Sequence, residues 1–368
     1  MQETDVAALT AQVLWAAFAL AVAFGAIAQR SHFCTMGAVA DVVNMGSWAR
    51  ARMWVLAMGT AAIGFGAMAA AGWIDPARTI YTAPRMAWLS YLVGGLMFGF
   101  GMVLASGCGS KTLVRIGGGS LKSLLVFFVM GFAAFATLKG ITAVVRVATV
   151  DTVFVTWPLG QDLPALLSGP LATSRRVLAG VLGGTFGVAL FAWVLARREG
   201  RSAEVLLGGI GIGLVVSAMW WVSGHLGFVA EHPDTLEPTF LASSSRGMEA
   251  MSFVAPMAYT LDWLILFSDK SKLLSLGIVS AAGVVAGSAL VALASRSFRW
   301  EGFGGTEDTA NHIVGALLMG VGGITALGCT IGQGLSGIST LALGSFIALA
   351  AIVAGAVLAL RYQLWRIS

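Results

Sequence analysis

Charge is scarce in this chain of 368 residues. Asp, Glu, Lys and Arg make up 11% of it, where soluble domains carry roughly 25%. With 58% apolar residues and a mean hydropathy of +0.87, that shortage excludes a soluble globular protein. The 22 Lys and Arg give a net charge of +5, but they are scattered between apolar runs. They act as topology signals and exclude a nucleic-acid-binding patch. Cysteine is also scarce. Three residues, an odd number set in apolar segments, cannot form a disulfide framework. No CxxC pair and no His/Cys cluster at metal spacing is present. No quinone, haem or flavin motif is present either, so no metal and no cofactor is expected. The N-terminus begins Met-Gln-Glu-Thr-Asp and lacks a basic region ahead of its long apolar run. Ala26-Ile27-Ala28 is therefore read as part of a retained transmembrane helix, not as a signal-peptidase site.

What the chain has in abundance is apolar helix and glycine, 48 residues of it. In a membrane protein glycine serves close helix packing and broken helices. A spanning helix needs about 20 mostly apolar residues. Nine segments qualify: 8–28, 52–73, 88–106, 121–141, 177–197, 205–222, 273–295, 309–327 and 341–361. Four shorter apolar stretches, 33–45, 107–117, 252–267 and 328–338, read as short or re-entrant helices. The fold class expected is an all-α integral membrane protein, a single transmembrane domain over 1–368. Segments 142–176 and 223–250 read as connecting loops.

The chain repeats itself. A shift of 221 positions carries Gly94 onto Gly315, Gly99 onto Gly320, Gly101 onto Gly322 and Gly107-Cys108 onto Gly328-Cys329. The same register carries Ser31 onto Ser252, Asp41 onto Asp262 and Gly66 onto Gly287. Cys34 falls on Ala255 and has no partner. The repeats span 1–145 and 205–365, with four long helices each, and helix 177–197 crosses once between them. An odd crossing inverts the second half, and inverted repeats place a transport path near the membrane midplane. Loops carrying Arg30, Arg50, Arg52, Lys111, Arg115, Lys122, Arg197, Arg198 and Arg201 define the more basic side. The other side holds Glu231, Asp234, Glu237 and fewer cations, Lys270 among them. By the positive-inside rule the N-terminus is outside and the C-terminus cytoplasmic.

The strongest local signals are Gly107-Cys108-Gly109-Ser110-Lys111 and Gly328-Cys329-Thr330-Ile331-Gly332-Gln333-Gly334. Each follows a long helix and opens a short segment. Short helices starting inside the membrane turn free N–H groups and a positive dipole end toward an anion. Ser110, Thr112, Thr330, Gln333 and Ser336 add polar side chains. Cys34-Thr35-Met36-Gly37 echoes Cys329-Thr330-Ile331-Gly332. A lone membrane cysteine is ordinarily a small packing residue, and Met, Trp and Phe stripes face lipid or neighbouring helices. Two cysteines at equivalent repeat positions, with a third opening a similar motif, favour a role in the path. Lys111 and Arg115 read as rim charges able to attract an anion. Asp41 and Asp262 read as capping or pairing residues, and His32 and His312 as helix-end residues.

Cys34-Thr-Met-Gly, Ser106-Gly-Cys108-Gly and Leu327-Gly-Cys329-Thr-Ile-Gly-Gln-Gly-Leu-Ser-Gly, with Trp220-Trp221-Val-Ser-Gly-His-Leu-Gly and Arg299-Trp-Glu-Gly-Phe, resemble the YeeE/YedE sulfur-transport family over nearly the whole chain. The resemblance implies a thiosulfate importer of the bacterial inner membrane with nine long helices, not an enzyme. It implies that Cys34, Cys108 and Cys329 line the path. It also implies a separate TusA-like sulfur carrier as partner, beside membrane lipid.

Thiosulfate is a dianion with a soft terminal sulfur. Carrying it through hydrocarbon without partners is prohibitive. Neutral thiols are weak donors, suited to a path where binding must be weak enough for release. The expected mechanism passes the substrate sulfur along the cysteines by successive S–H···S contacts, with persulfide formation as a covalent variant. The supporting positions are Gly107, Gly109, Ser110, Thr112, Gly328, Thr330, Gly332 and Gln333. Two alternatives stand beside it: a transporter or channel for another small solute with packing cysteines, and a membrane thiol-redox enzyme.

Overall fold

A computed structural model describes residues 3–367 apart from Asp234 and Lys270, so these two charges lie outside the described residues. The protein is predominantly helical. The long helices are α1 (Glu3–Arg30), α3 (Ala49–Ala70), α4 (Trp88–Leu104), α6 (Leu121–Lys139), α9 (Arg175–Leu195), α10 (Ala203–Trp221), α12 (Leu276–Ala294), α13 (Thr306–Thr325) and α14 (Leu343–Ile367). Short helices lie between them: α2 (Thr35–Ala40), α5 (Gly109–Gly117), α7 (Ile141–Ala148), α8 (Leu163–Ser168) and α11 (Val254–Ile265). A further short helix surrounds the π-helical turn Gly332–Gly337, and α2 continues into another π turn, Asp41–Met45. Two two-residue strand pairs, Arg85–Met86 with Val155–Thr156 and Phe228–Val229 with Thr239–Phe240, tie loops together.

Serines start several of these helices. Ser120, Ser202 and Ser275 each accept the N–H three residues on, which satisfies a donor the helix leaves open. Among the described residues, eight helical segments are long and apolar enough to cross a membrane. The ninth expected span corresponds to α13. It has 20 residues, but Glu307 and Asp308 occupy its first turn, so only its later, glycine-rich part is fully apolar. Segment 142–176, expected as loop, contains α7 and α8. Helix α8 forms because Asp162 caps the Ala165 N–H at 3.1 Å and Pro164 stands in the first turn, where its missing N–H costs nothing.

Packing is reciprocal between the two halves of the chain. Helix α1 packs on α12 and α10 on α3; α6 packs on α13 and α14 on α4. Helix α11 packs on α6 and α2 on α14, while α5 meets α12 and the Gly332–Gly337 turn meets α3. At the centre α4 and α13 cross with backbones in contact. A Cβ at Gly94 would stand 2.6 Å from the Gly322 carbonyl oxygen, and one at Gly322 the same distance from that of Gly94. Gly101 and Gly315 repeat this relation, again at 2.6 Å. The 221-residue shift carries Gly94 onto Gly315 and Gly101 onto Gly322, so it exchanges these two contacts of an antiparallel crossing. Asp41 pairs with Arg50 at 2.5 Å and Asp262 with Lys272 at 2.6 Å, one ion pair in each half beside the short helix.

Overpacking such a crossing costs about 1–3 kcal/mol. Gly322→Val is expected to lower the melting temperature in detergent by several degrees. Gly184→Val, where an added Cβ meets nothing within 4 Å, is expected to leave it unchanged. Equal melting temperatures for both variants would refute the crossing.

Candidate functional site

Three turns of one design deliver the three cysteines. At the end of α1, His32 adopts φ 50° and the Phe33 N–H returns to the Ala28 carbonyl at 3.2 Å. At the end of α4, Ser106 adopts φ 56° and the Gly107 N–H returns to Met102 at 2.8 Å. At the end of α13, Leu327 adopts φ 55° and the Gly328 N–H returns to Gly323 at 2.8 Å. A left-handed residue followed by this return bond is the Schellman helix stop. In each case the cysteine is two residues past the left-handed one, where it begins a short helix.

All three thiols are free and buried. Cys34 Sγ accepts the Gly37 N–H at 3.4 Å and Cys329 Sγ accepts the Gly332 N–H at 3.4 Å. The sulfur thus takes the N-cap place usually held by Ser or Asp, leaving its own S–H to point elsewhere. Cys108 Sγ lies 3.3 Å from the Ser110 hydroxyl. Cys108 lies within electrostatic reach of both Cys34 and Cys329.

A cavity flanks the thiols at each end. One, of about 460 Å³, is lined by Cys34, His32, Arg50, Ser106, Lys111 and Arg115. Its carboxylates are Glu204 and Asp41, and Asp41 is committed to Arg50. Arg115 also donates to the Ser106 carbonyl at 2.8 Å, bracing the turn before Cys108. The other cavity, of about 280 Å³, is lined by Tyr81, Arg146, Glu249, Ser252, Tyr259 and Gly328. Tyr81 lies within electrostatic reach of Cys329. Glu204, in the first turn of α10, lines the first cavity, and Tyr81 of the second packs on Trp220 in the last turn of α10, so the cavities belong to opposite ends of a 19-residue helix, about 28 Å long at 1.5 Å per residue.

The supporting positions divide by what they already bind. The Thr112 hydroxyl donates to the Cys108 carbonyl at 3.1 Å. Gln333 is tied into the fold on both sides of its amide, donating to the Ala326 carbonyl at 2.6 Å and accepting from Ser345 at 2.7 Å. Ser336 donates to the Met251 carbonyl. The Thr330 hydroxyl is buried with no hydrogen-bond partner. Gly107 lies against the Lys111 stem, and Gly109 has ordinary clearance. Gly332 gives the N–H held by Cys329 and leaves room for Tyr81 and Ser252. Gly328 opens the turn and lines the second cavity. His32 lines the first cavity, whereas His312 is bonded to Asp308 on its own helix. Sequence reasoning passed over Tyr81 and Glu249, which lie in loops without a motif, and named Thr35 only as part of the Cys-Thr echo.

Buried thiols flanked by two cavities, within a bundle of apolar helices, are the arrangement of a membrane transport protein. The chain belongs to the Sulphur transport family, whose model matches residues 30–358. It is 25% identical over 319 residues to the thiosulfate transporter TsuA of Escherichia coli K12, covering 84% of this chain and 83% of that protein. It is 24% identical over 358 residues to the thiosulfate transporter TsuA of Spirochaeta thermophila, covering 91% and 94%. A stretch of 96 residues, 26% of this chain and 22% of the relative, is 31% identical to the probable transporter YedE of Salmonella typhimurium.

Glu249 lies outside the spanning helices and carries a pH signature. Burial pushes its carboxyl up, only partly offset by bonds from the Ser243 hydroxyl and the Ser244 and Ser245 N–H groups. A folded-state value above the unfolded one means that the folded protein holds this proton more tightly. Stability therefore falls as pH rises from the ordinary carboxylate range, about 4.3, through the folded value. Glu249→Gln is expected to melt like the wild type at acid pH and progressively higher than it toward neutral pH. A melting difference independent of pH would contradict this.

Proposed function

We propose that this protein imports thiosulfate across the bacterial inner membrane, handing its terminal sulfur along Cys329, Cys108 and Cys34. The observation that carries this reading is the order of the thiols between the two cavities. Cys329 stands by the Tyr81 and Glu249 cavity, Cys34 lines the Arg50, Lys111 and Arg115 cavity, and Cys108 lies within reach of both. A thiol donates weakly, so each contact holds the soft sulfur without trapping it, as conduction requires. Capping of Cys34 and Cys329 by N–H groups leaves their protons available to the substrate. The step forms and breaks only S–H···S contacts, so the reading is of a carrier and not of an enzyme.

The cationic cavity belongs to the side rich in Lys and Arg, which the positive-inside rule assigns to the cytoplasm. The N-terminus is then outside and the C-terminus inside. With Arg50 paired to Asp41, Lys111 and Arg115 favour arrival of the anion on that side, where a separate TusA-like sulfur carrier is the proposed recipient. The halves 1–145 and 205–365 are read as an inverted repeat linked by α9. The reciprocal packings and the Gly94–Gly322 and Gly101–Gly315 contacts support this, and such repeats form paths at their shared axis.

Labelled thiosulfate uptake in cells lacking other sulfur importers tests the reading at matched membrane levels. Cys108→Ala and Cys329→Ala are expected to lower uptake by about tenfold or more, the scale of one lost contact to a charged partner. Serine, a harder donor, is expected to restore only part of it. Uptake by either alanine variant at the wild-type rate would sink the relay.

A further inference from the structure

The thiols account for the sulfur end of such a substrate and leave its oxygens without named donors. Several buried threonine hydroxyls in this protein are spent on their own helix. Thr60 donates to Leu56, Thr137 to Ala133 and Thr325 to Val321, each the carbonyl four residues back. Thr35 and Thr330 are different. Among the described residues they hold the only fully buried hydroxyls without a hydrogen-bond partner, and their residues are 5% and 0% exposed. The cause is their place in the chain. Each is the first residue after a capping cysteine, so the residue four back lies in the turn and not in the helix. For Thr330 that residue is Ala326, whose carbonyl is already taken by Gln333.

Their positions match. Thr35 follows Cys34, at one end of the thiol line, and Thr330 follows Cys329, at the other. A further buried donor without a partner lies nearby, the Trp54 indole N–H. The Trp54 ring stacks on Phe33, beside Cys34, at 5.4 Å between centroids. The same ring packs against Gly334, in the short helix that Cys329 begins. Buried donors are normally satisfied, and orphans gathered beside two capping cysteines call for a transient acceptor.

We infer that Thr35 and Thr330, with the Trp54 indole N–H, are the donors that recognise the sulfonate oxygens of the passing anion and so determine its specificity. The inference rests on the transport reading above and deepens it. Each end of the path then pairs a soft donor, the thiol, with a hard one, the hydroxyl. That pairing fits an anion with one sulfur end and one oxygen end better than it fits sulfide or sulfate.

The test compares thiosulfate uptake and detergent melting temperature for Thr35→Val, Thr330→Val and the corresponding serine variants, alongside wild type and Cys108→Ala. Valine keeps the shape and removes only the hydroxyl. Each valine variant is expected to raise KM by about tenfold, serine to restore it, and the melting temperature to hold or rise because no protein bond is lost. Valine variants that transport like wild type while Cys108→Ala shows its expected loss of uptake would overturn the inference and leave the transport reading standing. Loss of uptake together with a lowered melting temperature would make the hydroxyls structural and overturn it as well. Undiminished uptake by Cys108→Ala, or none by wild type, would instead remove the reading beneath it.

Discussion

The membrane interior requires every backbone N–H and carbonyl to find a partner within the protein, and the three helix stops at the cysteines are where that requirement is hardest to meet. A helix that ends among buried residues leaves its last carbonyls open. Here the return bonds to Ala28, Met102 and Gly323 close them. The chain then re-enters helix at once, with a cysteine as first cap. Two of the caps are made by sulfur itself. A left-handed backbone at non-glycine residues, His32, Ser106 and Leu327, is the cost of turning so tightly, of order 1 kcal/mol each. Everything distinctive about the site follows from those turns: buried thiols, adjacent hydroxyls and short helices opening away from them.

Electrostatics is arranged around this neutral centre instead of within it. The fixed cations Arg50, Lys111 and Arg115 line a cavity at one end, and Glu249 and Arg146 line the other. A cation fixed between them would bind a dianion too firmly to release it. On the proposed reading the thiols and hydroxyls supply several weak contacts in series, and the cavity charges set where the anion gathers. Family membership and the TsuA relatives agree with a sulfur-containing cargo, and the donors at hand suit one with unlike ends.

Much of this was legible in the sequence. Apolar run length located all nine long helices to within a few residues, because the bilayer sets that length. Glycine-flanked cysteines located the broken helices, because only a turn there explains such residues in an apolar context. The loop 142–176 was not legible. Helices α7 and α8 are too short for a periodic pattern, and α8 declares itself only through Asp162 and Pro164. Of the proposed site, the sequence marks the sulfurs and leaves the cavity edges unmarked. Tyr81 and Glu249 come to line the second cavity through tertiary folding of loops, which leaves no local mark. Gln333 has the look of a ligand residue in the motif, yet its amide is bonded to Ala326 and Ser345. Thr35 carried a signal in its Cys-Thr pairing, but only the coordinates distinguish an idle hydroxyl from a bonded one.

The central claim is that the soft end of the cargo travels against cysteine sulfur. The most direct measurement is an experimental structure with selenosulfate, in which selenium replaces the terminal sulfur and is located by its anomalous signal. The account predicts selenium peaks in van der Waals contact with the sulfurs of Cys329, Cys108 or Cys34, between the two cavities. Selenium confined to the arginine and lysine side chains of the cavity rim, with the oxygens and not the selenium facing the thiols, would contradict it.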